Sequence, residues 1–271
     1  MKVVLITGAS TGIGRAAALH FERQGWLVAA AMRRPEAAAW PTSDRLHRYA
    51  LDVTDAASVR DCVAAVERDH GCIDVLVNNA GVYLTKPLED STDEEYASVF
   101  GTNVQGTLRV TRAVLPAFRR RGAGTIVNLS SVAGRVTFPF QTLYHGSKWA
   151  IEGITEGLAH ELRPLGIRVR LVEPGMVRTP LYDRTRAAGT AAASACYEAN
   201  FGAWRRFLLR SCEQGAGTEA TVRAIFRAAT DRGHRLRYAA GADTHAAFLL
   251  RSLLPQRAWA FVVRRLTGVR G

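Results

Sequence analysis

The sequence has few cysteines and no long apolar run. Its four cysteines show neither CxxC spacing nor a histidine-rich neighbourhood, which argues against a zinc ribbon or a thioredoxin-like motif and favours a reducing compartment. No apolar run approaches the roughly 18 residues that would span a bilayer. The run at residues 3–6 is too short for the core of a signal peptide. These absences predict a cytoplasmic protein that needs no structural metal or disulfide.

Lysine is also scarce, because only three of the 36 basic residues are lysines. The formal charge of +12 lies mostly in the last third, where residues 181–271 hold 15 arginines against six acidic residues; residues 1–180 carry only +3. A nucleic-acid site would need basic residues interleaved with stacking aromatic side chains on one face. Because the charge excess lies outside the region that carries the motifs described below, we expect no nucleic-acid partner.

Apolar segments of strand length alternate with segments of helical period along the first two thirds of the chain. The predicted strands are residues 2–6, 27–31, 48–51, 73–77, 125–129 and 167–172. The predicted helices between them include residues 14–24, 56–69 and 107–120. Such alternation predicts an α/β fold in one domain, a Rossmann-like doubly wound parallel sheet with helices on both faces.

The pattern loosens after residue 180. Residues 181–217 mix arginine, alanine, threonine and aromatics without a clear strand, which favours a substrate lid. Residues 218–271 predict a helix near 218–231, a strand near 236–240 and an apolar tail that bears arginines. The tail leaves two interpretations open: packing over the pocket or against another subunit, which we favour, and contact with a membrane surface.

A glycine-rich turn follows the first predicted strand. The strand runs directly into Thr7-Gly8-Ala9-Ser10-Thr11-Gly12-Ile13-Gly14, and a helical segment comes next. Glycines at this junction allow a tight turn, close approach of the backbone to a pyrophosphate, and close packing of helix on strand. The helix N-terminus adds free N–H groups and the positive end of its dipole. The GxxxGxG spacing at this junction therefore favours a dinucleotide site over a bare turn.

The end of the second strand carries the signal for the type of dinucleotide. An acidic residue about 20 residues beyond the glycines would bind a ribose 2′-hydroxyl, but position 32 is Met, and Arg33 and Arg34 follow. A guanidinium can form paired hydrogen bonds to phosphate oxygens. These residues favour NADP(H) over NAD(H); the alternative is that both arginines are solvated loop residues.

Tyr144 and Lys148 are spaced by four residues, which places a phenol and an ammonium on one face of a helix. To exchange a proton near neutrality the phenol needs its pKa lowered by roughly 3 units from about 10. An adjacent ammonium, together with an oxidised nicotinamide, can supply that by stabilising the phenolate. Because lysine is so rare in this chain, its retention at position 148 supports a chemical role.

Five motifs in order, over roughly residues 2–180, resemble those of the short-chain dehydrogenase/reductase family. They are the glycine turn, Asn78-Asn79-Ala80-Gly81, Asn128-Leu129-Ser130-Ser131, Tyr144 with Lys148, and Pro174-Gly175-Met176-Val177-Arg178-Thr179. The resemblance implies that Ser131 holds the substrate oxygen beside Tyr144, and that Asn103 positions a water that relays protons to Lys148. It also implies that Asp52 contacts the adenine, and that Val177 and Thr179 hold the nicotinamide carboxamide. The family tends to form homodimers and homotetramers through the helices around Asn103 and Tyr144.

The resemblance, with the arginines after the second strand, implies an extended cofactor site. Its residues are Gly8, Ser10, Thr11, Gly12, Ile13, Gly14, Arg33, Arg34, Asp52, Val53, Asn79, Ala80, Gly81, Tyr144, Lys148, Pro174, Gly175, Val177 and Thr179.

The expected reaction is hydride transfer between a nicotinamide and a carbonyl or secondary alcohol, with Tyr144 exchanging the proton on oxygen. Aromatic residues suggest a hydrophobic, steroid- or polyketide-like substrate bordered by Phe138, Phe140, Leu181 and Tyr182. His145 lies off the face shared by Tyr144 and Lys148, which argues against an acid–base role. Branch-level features resemble the 17β-hydroxysteroid/retinol dehydrogenase-like members of the family.

Two other functions stay open. A β-ketoacyl carrier-protein reductase would share every catalytic residue, and a preference for acyl thioesters on carrier protein would identify it. A catalytically idle NADP(H)-sensing or scaffold protein is disfavoured because the four residues assigned to catalysis are all present: Asn103, Ser131, Tyr144 and Lys148.

Overall fold

The computed structural model describes residues 1–37, 40–41, 43–183 and 194–270. It contains a seven-stranded sheet in the order β3-β2-β1-β4-β5-β6-β7, in which every neighbouring pair is parallel. The strands are β1 (Val3–Thr7), β2 (Leu27–Met32), β3 (Leu46–Ala50), β4 (Val75–Asn78), β5 (Gly124–Leu129), β6 (Ile167–Pro174) and β7 (Arg237–Ala240). The predicted doubly wound α/β fold is confirmed, and each predicted strand overlaps an observed one.

Helices cover both faces of the sheet. They are α1 (Gly12–Arg23), α2 (Ala56–His70), α3 (Asp93–Phe100), α4 (Thr107–Arg121), α5 (Thr142–Leu162), α6 (Glu198–Gln214), α7 (Glu219–Thr230), α8 (Ala242–Leu253) and α9 (Gln256–Thr267). A π-helical turn, Gly101–Gly106, joins α3 to α4.

The sheet is buried on both faces, which explains why its central strands are continuous apolar runs. All five residues of β1 are buried. Val4 and Ile6 contribute to the core cluster that includes Phe21 of α1, whereas Val3 and Leu5 contribute to the opposite cluster. This alternation follows from the two-residue period of a strand.

The strand order reverses between β1 and β4, because the chain adds strands outward from β1 in one direction and then returns to the other side. In open parallel sheets a crevice forms at the carboxyl ends of the strands where the order reverses. The segments that follow β1, β4, β5 and β6 therefore meet at one edge of the sheet.

The segment predicted as an irregular lid contains a regular helix. Within residues 181–217, positions 184–193 lie outside the described residues, but α6 covers most of the remainder. Phe201, Trp204, Leu208 and Cys212 are buried at spacings of three and four, the period of a helix face. The lid function itself stays a prediction.

The C-terminal tail forms α8 and α9. Trp259 is buried, and Asn200 of α6 pairs with both backbone groups of Arg270, at 2.9 Å to its nitrogen and 3.1 Å to its oxygen. Leu253 and Phe261 are exposed. Among the helices of the described residues, none combines the length and the apolar character needed to cross a bilayer.

Candidate active site

A cleft of about 890 Å³ lies at the carboxyl edge of the sheet. It brings together most of the residues predicted for the site, from all five motifs. Those on its wall are Gly8, Ser10, Thr11, Gly12, Ile13, Arg33, Asp52, Val53, Asn79, Ala80, Gly81, Ser131, Tyr144, Lys148, Pro174, Gly175, Val177, Thr179, Leu181 and Tyr182. Five predicted residues do not line it, namely Gly14, Arg34, Asn103, Phe138 and Phe140.

The glycine turn is locked to the end of β4. Gly8 has a φ of +64°, and a Cβ there would lie 2.8 Å from the backbone of Ala80. A Cβ at Gly14 would collide with the Gly8 carbonyl and the Asn79 amide. That amide donates to the carbonyls of Thr7 and Gly8 at 2.9 and 3.1 Å. Gly14 and Asn79 therefore shape the turn.

The entrance to α1 suits a pyrophosphate. The Thr11 side chain makes no capping hydrogen bond to the helix, and the first turn contains no acidic residue. The positive end of the helix dipole is therefore not neutralised by a carboxylate, and it lies on the cleft wall beside Gly12 and Ile13. The residues present fit the phosphate groups of a dinucleotide.

Arg33 and Asp52 occupy the part of the cleft wall beyond β2 and β3. Asp52 accepts hydrogen bonds from the Thr54 hydroxyl at 2.6 Å and the Thr54 N–H at 2.9 Å. These bonds lower the pKa of Asp52, and the Arg33 charge lowers it further, so the carboxylate is ionised at neutral pH. Arg34, by contrast, lies away from the wall.

Tyr144 lies in the first turn of α5 and Lys148 one turn later, and both side chains are buried. Burial raises the pKa of Tyr144 to about 12, an effect opposed by a hydrogen bond from Ser131. The Lys148 ammonium donates to the Leu129 carbonyl at 2.9 Å and lies 5.8 Å from the Tyr144 ring centre. Burial thus keeps the phenol protonated, and the lowering of its pKa by Lys148 together with an oxidised nicotinamide stays a prediction.

Burial also sets the state of Lys148. Removal from water lowers the pKa of its ammonium to about 8, and the charge of Glu152 opposes that shift. At neutral pH a larger fraction of Lys148 is therefore uncharged than of a lysine on the surface.

Ser131 is oriented by its position at the start of a short 3₁₀ turn, Val132–Gly134. Its hydroxyl oxygen accepts from the Ala133 N–H at 3.1 Å, which leaves the hydroxyl proton to be donated. Of the two neighbouring serines, Ser131 is the one whose hydroxyl acts to lower the pKa of Tyr144.

Asn103 lies in the π-helical turn and is buried. Its carboxamide nitrogen donates to the Val82 carbonyl and to the Ser147 hydroxyl, both at 3.0 Å. The Ser147 hydroxyl in turn donates to the Tyr144 carbonyl at 2.7 Å. Asn103 thus ties the segment after β4 to α5, and its predicted role in positioning a water stays a prediction.

Two aromatic residues that were predicted to border the substrate, Phe138 and Phe140, do not line the cleft. Phe138 stacks on Trp204 with ring centres 5.9 Å apart, and Phe140 packs edge-on against Phe201 at 5.3 Å. Because α6 covers both rings, they support the wall that carries Tyr182 instead of lining the cleft.

Sequence reasoning missed Tyr83. Its ring packs edge-on against Tyr144 at 4.8 Å and Tyr182 at 4.9 Å, and it lines the cleft. Its place two residues after Gly81 could have suggested it.

His145 accepts from the Phe138 N–H at 2.9 Å and contacts the Ala133 carbonyl at 2.8 Å. Burial lowers its pKa, which fits a neutral, structural imidazole.

No group of three metal-ligating side chains occurs in the described part of the chain.

Known proteins are similar to this chain in sequence and in fold. The sequence pattern of the short chain dehydrogenase family matches residues 2–189. An uncharacterized oxidoreductase of Bacillus subtilis, YusZ, is 34% identical over 275 residues, covering 97% of this chain and 98% of the relative. A 3-ketodihydrosphingosine reductase of Bacteroides thetaiotaomicron is 38% identical, covering 67% of this chain and 66% of the relative.

Solved structures of other proteins have a fold similar to that of this chain. A short-chain dehydrogenase from Streptomyces avermitilis has a TM-score of 0.79 and 35% identity, with 97% of both chains covered. A short-chain dehydrogenase/reductase from Burkholderia phymatum in complex with NAD has a TM-score of 0.78 and 28% identity, with 96% of this chain and 94% of that one covered. ElxO with NADP bound has a TM-score of 0.72 and 27% identity, with 88% and 97% covered.

The assignment to a 17β-hydroxysteroid/retinol dehydrogenase-like branch stays a prediction, since the similarities described here extend to relatives of other names. The family match over most of the chain, the parallel sheet and the convergence of the five motifs on one cleft agree: this chain belongs to the short-chain dehydrogenase family of oxidoreductases.

Proposed function

We propose that this protein is an NADP(H)-dependent carbonyl reductase or alcohol dehydrogenase that acts on a lipophilic substrate. The observation that carries the proposal is that the Ser131 and Tyr144 hydroxyls, the Lys148 ammonium and the glycine turn line one cleft. The roles we assign to these groups, a proton donor, an oxygen-binding hydroxyl and a dinucleotide cradle, require that they share one space.

Bound in the cleft, a nicotinamide cofactor supplies the hydride for reduction or accepts it in oxidation. In reduction Ser131 donates a hydrogen bond to the substrate carbonyl oxygen, which polarises the bond. Tyr144, protonated at neutral pH, gives its proton to the same oxygen. Lys148 stabilises the phenolate that results, because a nearby cation favours the anionic form.

Arg33 supports the preference for NADP(H). Its guanidinium lies on the cleft wall, and the strand end before it offers Met32 where an acid would repel a phosphate. Asp52 is occupied by Thr54 and lies beside Arg33. A 2′-phosphate would find a cation here, whereas a 2′-hydroxyl would find no carboxylate directly after β2.

The wall beyond Tyr144 supports a lipophilic substrate. Tyr83, Leu181 and Tyr182 line it, backed by the aromatic cluster under α6. The relative named for 3-ketodihydrosphingosine points the same way, since that ketone is carried on an aliphatic chain. We infer a ketone or aldehyde with an extended apolar part.

The test is consumption of NADPH and of NADH with a panel of ketones and aldehydes of increasing chain length. We expect turnover with NADPH and a rise in kcat/KM with apolar length. Activity on a β-ketoacyl carrier-protein thioester that exceeds activity on every free ketone would identify the ketoreductase alternative. Tight binding of NADPH without turnover of any carbonyl would favour the idle, cofactor-sensing alternative.

A further inference from the structure

A buried charged cluster begins one helical turn beyond Lys148. It consists of Glu152 on α5, Glu173 near the end of β6, Arg135 after the 3₁₀ turn, and Arg237 on β7. Arg237 pairs with Glu152 at 3.2 Å, and Arg135 approaches Glu173 at 3.5 Å. Glu173 is 1% exposed and Glu152 7%. Buried carboxylates of this kind are rare without a role in structure or chemistry.

Glu152 lies four residues after Lys148 and eight after Tyr144, so all three side chains project from one face of α5. Burial favours the neutral amine of Lys148, and Glu152 is the acidic group in the described structure that opposes this effect. The other charges near Glu152 come from Arg135, Arg237 and Glu173.

Burial raises the pKa of Glu152, and specific partners oppose that effect by stabilising the carboxylate. Arg237 pairs with its Oε2 atom at 3.2 Å, and both the neighbouring Ser130 hydroxyl and Arg237 act to lower the pKa of the Glu152 carboxyl. Oε1 of Glu152 and Oγ of Ser130 both lie over Gly134, where a Cβ would be 2.9 Å from the first and would collide with the second. A glycine at position 134 thus leaves room for the carboxylate beside Ser130.

Of the two buried carboxyl groups, Glu152 and Glu173, it is Glu173 that holds a proton. Burial and the negative charge of Glu152 raise the pKa of Glu173 to about 7. Two adjacent buried carboxylates do not both ionise readily. Because the ion pair of Glu152 with Arg237, at 3.2 Å, is closer than that of Glu173 with Arg135, at 3.5 Å, the charge retained is that of Glu152, one turn from Lys148.

Resting on the function proposed above, we propose that Glu152 is a positioning residue for the reaction: its carboxylate keeps Lys148 as an ammonium over the pH range in which Tyr144 exchanges its proton. The effect passes through Lys148. Loss of the carboxylate would leave the buried Lys148 ammonium without the anion that opposes its desolvation, so its amine would lose a proton at lower pH.

Because the chain has only three lysines, the protonation of the Lys148 amine can be measured directly. In protein labelled with ¹³C at the lysine side chains, only Lys2, Lys86 and Lys148 contribute signals. The Lys148 signal is assigned by its loss in Lys148→Arg, and its pH titration is followed in the full chain. Lys86, paired with Glu95 at 3.1 Å, serves as an internal reference.

We expect Glu152→Gln to lower the titration midpoint of Lys148 by about one pH unit, with the alkaline limb of the kcat profile moving down by the same amount. Glu156→Gln is the matched control, because Glu156 also pairs with Arg237, at 2.7 Å, but is exposed. It should leave both measurements unchanged. Glu152→Asp should restore most of the wild-type midpoint, since it keeps the charge.

If Glu152→Gln does not fold, Ser130→Ala provides the second variant. Removing the hydroxyl that stabilises the Glu152 anion should lower the Lys148 midpoint in the same direction by a smaller amount. A Lys148 midpoint that is the same in wild type and Glu152→Gln, or an equal shift in Glu156→Gln, would overturn the proposal. The titration needs no substrate, so its outcome is independent of whether the proposed reaction is found.

Discussion

The carboxamide of Asn103 pairs with both backbone groups of Val82, accepting from its N–H at 2.8 Å and donating to its carbonyl at 3.0 Å. The side chain thus acts as a substitute strand partner for a segment that has left the sheet. Since Val82 follows the cofactor-facing turn and Asn103 also bonds Ser147 on α5, one amide holds two walls of the cleft together.

We expect Asn103→Ala to lower the free energy of unfolding by about 1–3 kcal/mol, because it leaves the backbone groups of Val82 without partners in a partly buried site. Asn200→Ala is the matched control: Asn200 makes the same double pairing with Arg270 at an exposed site. Urea unfolding of both variants compares the two. An equal, small effect at both sites would show that burial does not strengthen the Asn103 pairing.

Tyr144→Phe should reduce kcat by roughly 10²–10⁴ while NADPH binding, followed by fluorescence, stays within a few fold of wild type. The reason is that the variant keeps the ring and its packing against Tyr83 and removes only the proton donor. Tyr182→Phe removes a hydroxyl from the same wall and should affect KM more than kcat. Retained turnover in Tyr144→Phe would rule out the proposed proton donor.

Arg33→Ala should weaken NADPH binding by about tenfold or more, the equivalent of one charge-assisted hydrogen bond. NADH binding should change little, because the guanidinium is assigned to the 2′-phosphate. Arg34→Ala is the control, since Arg34 does not line the cleft. Dissociation constants for both cofactors would be measured at fixed salt, and an equal loss in the two variants would argue for a diffuse charge effect.

Gly14→Ala should destabilise the fold by about 1–3 kcal/mol and impair cofactor binding, because a methyl group there meets the Gly8 carbonyl and the Asn79 amide. Gly153→Ala offers a contrast within α5, where a Cβ would meet nothing within 4 Å. That change should stabilise the protein by about 0.5–1 kcal/mol, since alanine is the better helix former. Thermal unfolding of the two variants should therefore move in opposite directions.

The raised pKa of Glu173 predicts a pH dependence of stability. Between the usual range of a glutamate and about pH 7, the folded protein holds a proton that the unfolded chain has released. Stability attributable to this group therefore falls as the pH rises through that window. Glu173→Gln should remove this part of the slope and raise stability at pH 8 by about 1–3 kcal/mol relative to wild type.

Urea unfolding from pH 5 to 8 provides the measurement for Glu173→Gln. Glu156→Gln, at an exposed site, should leave the slope as in wild type. If Glu173→Gln were equally destabilised at every pH, the pairing with Arg135 would outweigh the burial of the charge.

Much of the fold was predictable from the sequence because its signals are local. The apolar strands, the glycine turn and the Tyr144–Lys148 spacing are read over a few residues each, and the parallel order of strands follows from their alternation with helices. The helix α6 escaped prediction for the complementary reason. Its buried Trp204 contacts Thr85 and Phe138, which lie 119 and 66 residues earlier in the chain, so no local pattern shows what the helix packs against.

Side-chain placement beyond the backbone motifs could not be predicted in the same way. Phe138 and Phe140 lie between two cleft motifs in sequence, yet α6 covers them. Arg33 and Arg34 are neighbours with the same chemistry, yet only Arg33 lines the cleft.

By itself, the sequence determined the family, the sheet and the order of the motifs, since these depend on spacing and apolar period along one stretch of chain. Only the tertiary structure decided what Asn103 binds, and that Glu152 and Glu173 lie close enough for their charges to interact. Those contacts join α5, β6 and β7 across up to 85 residues of sequence. Desolvation then sets the charge of each group, and it is a property of the packed interior that no local pattern encodes.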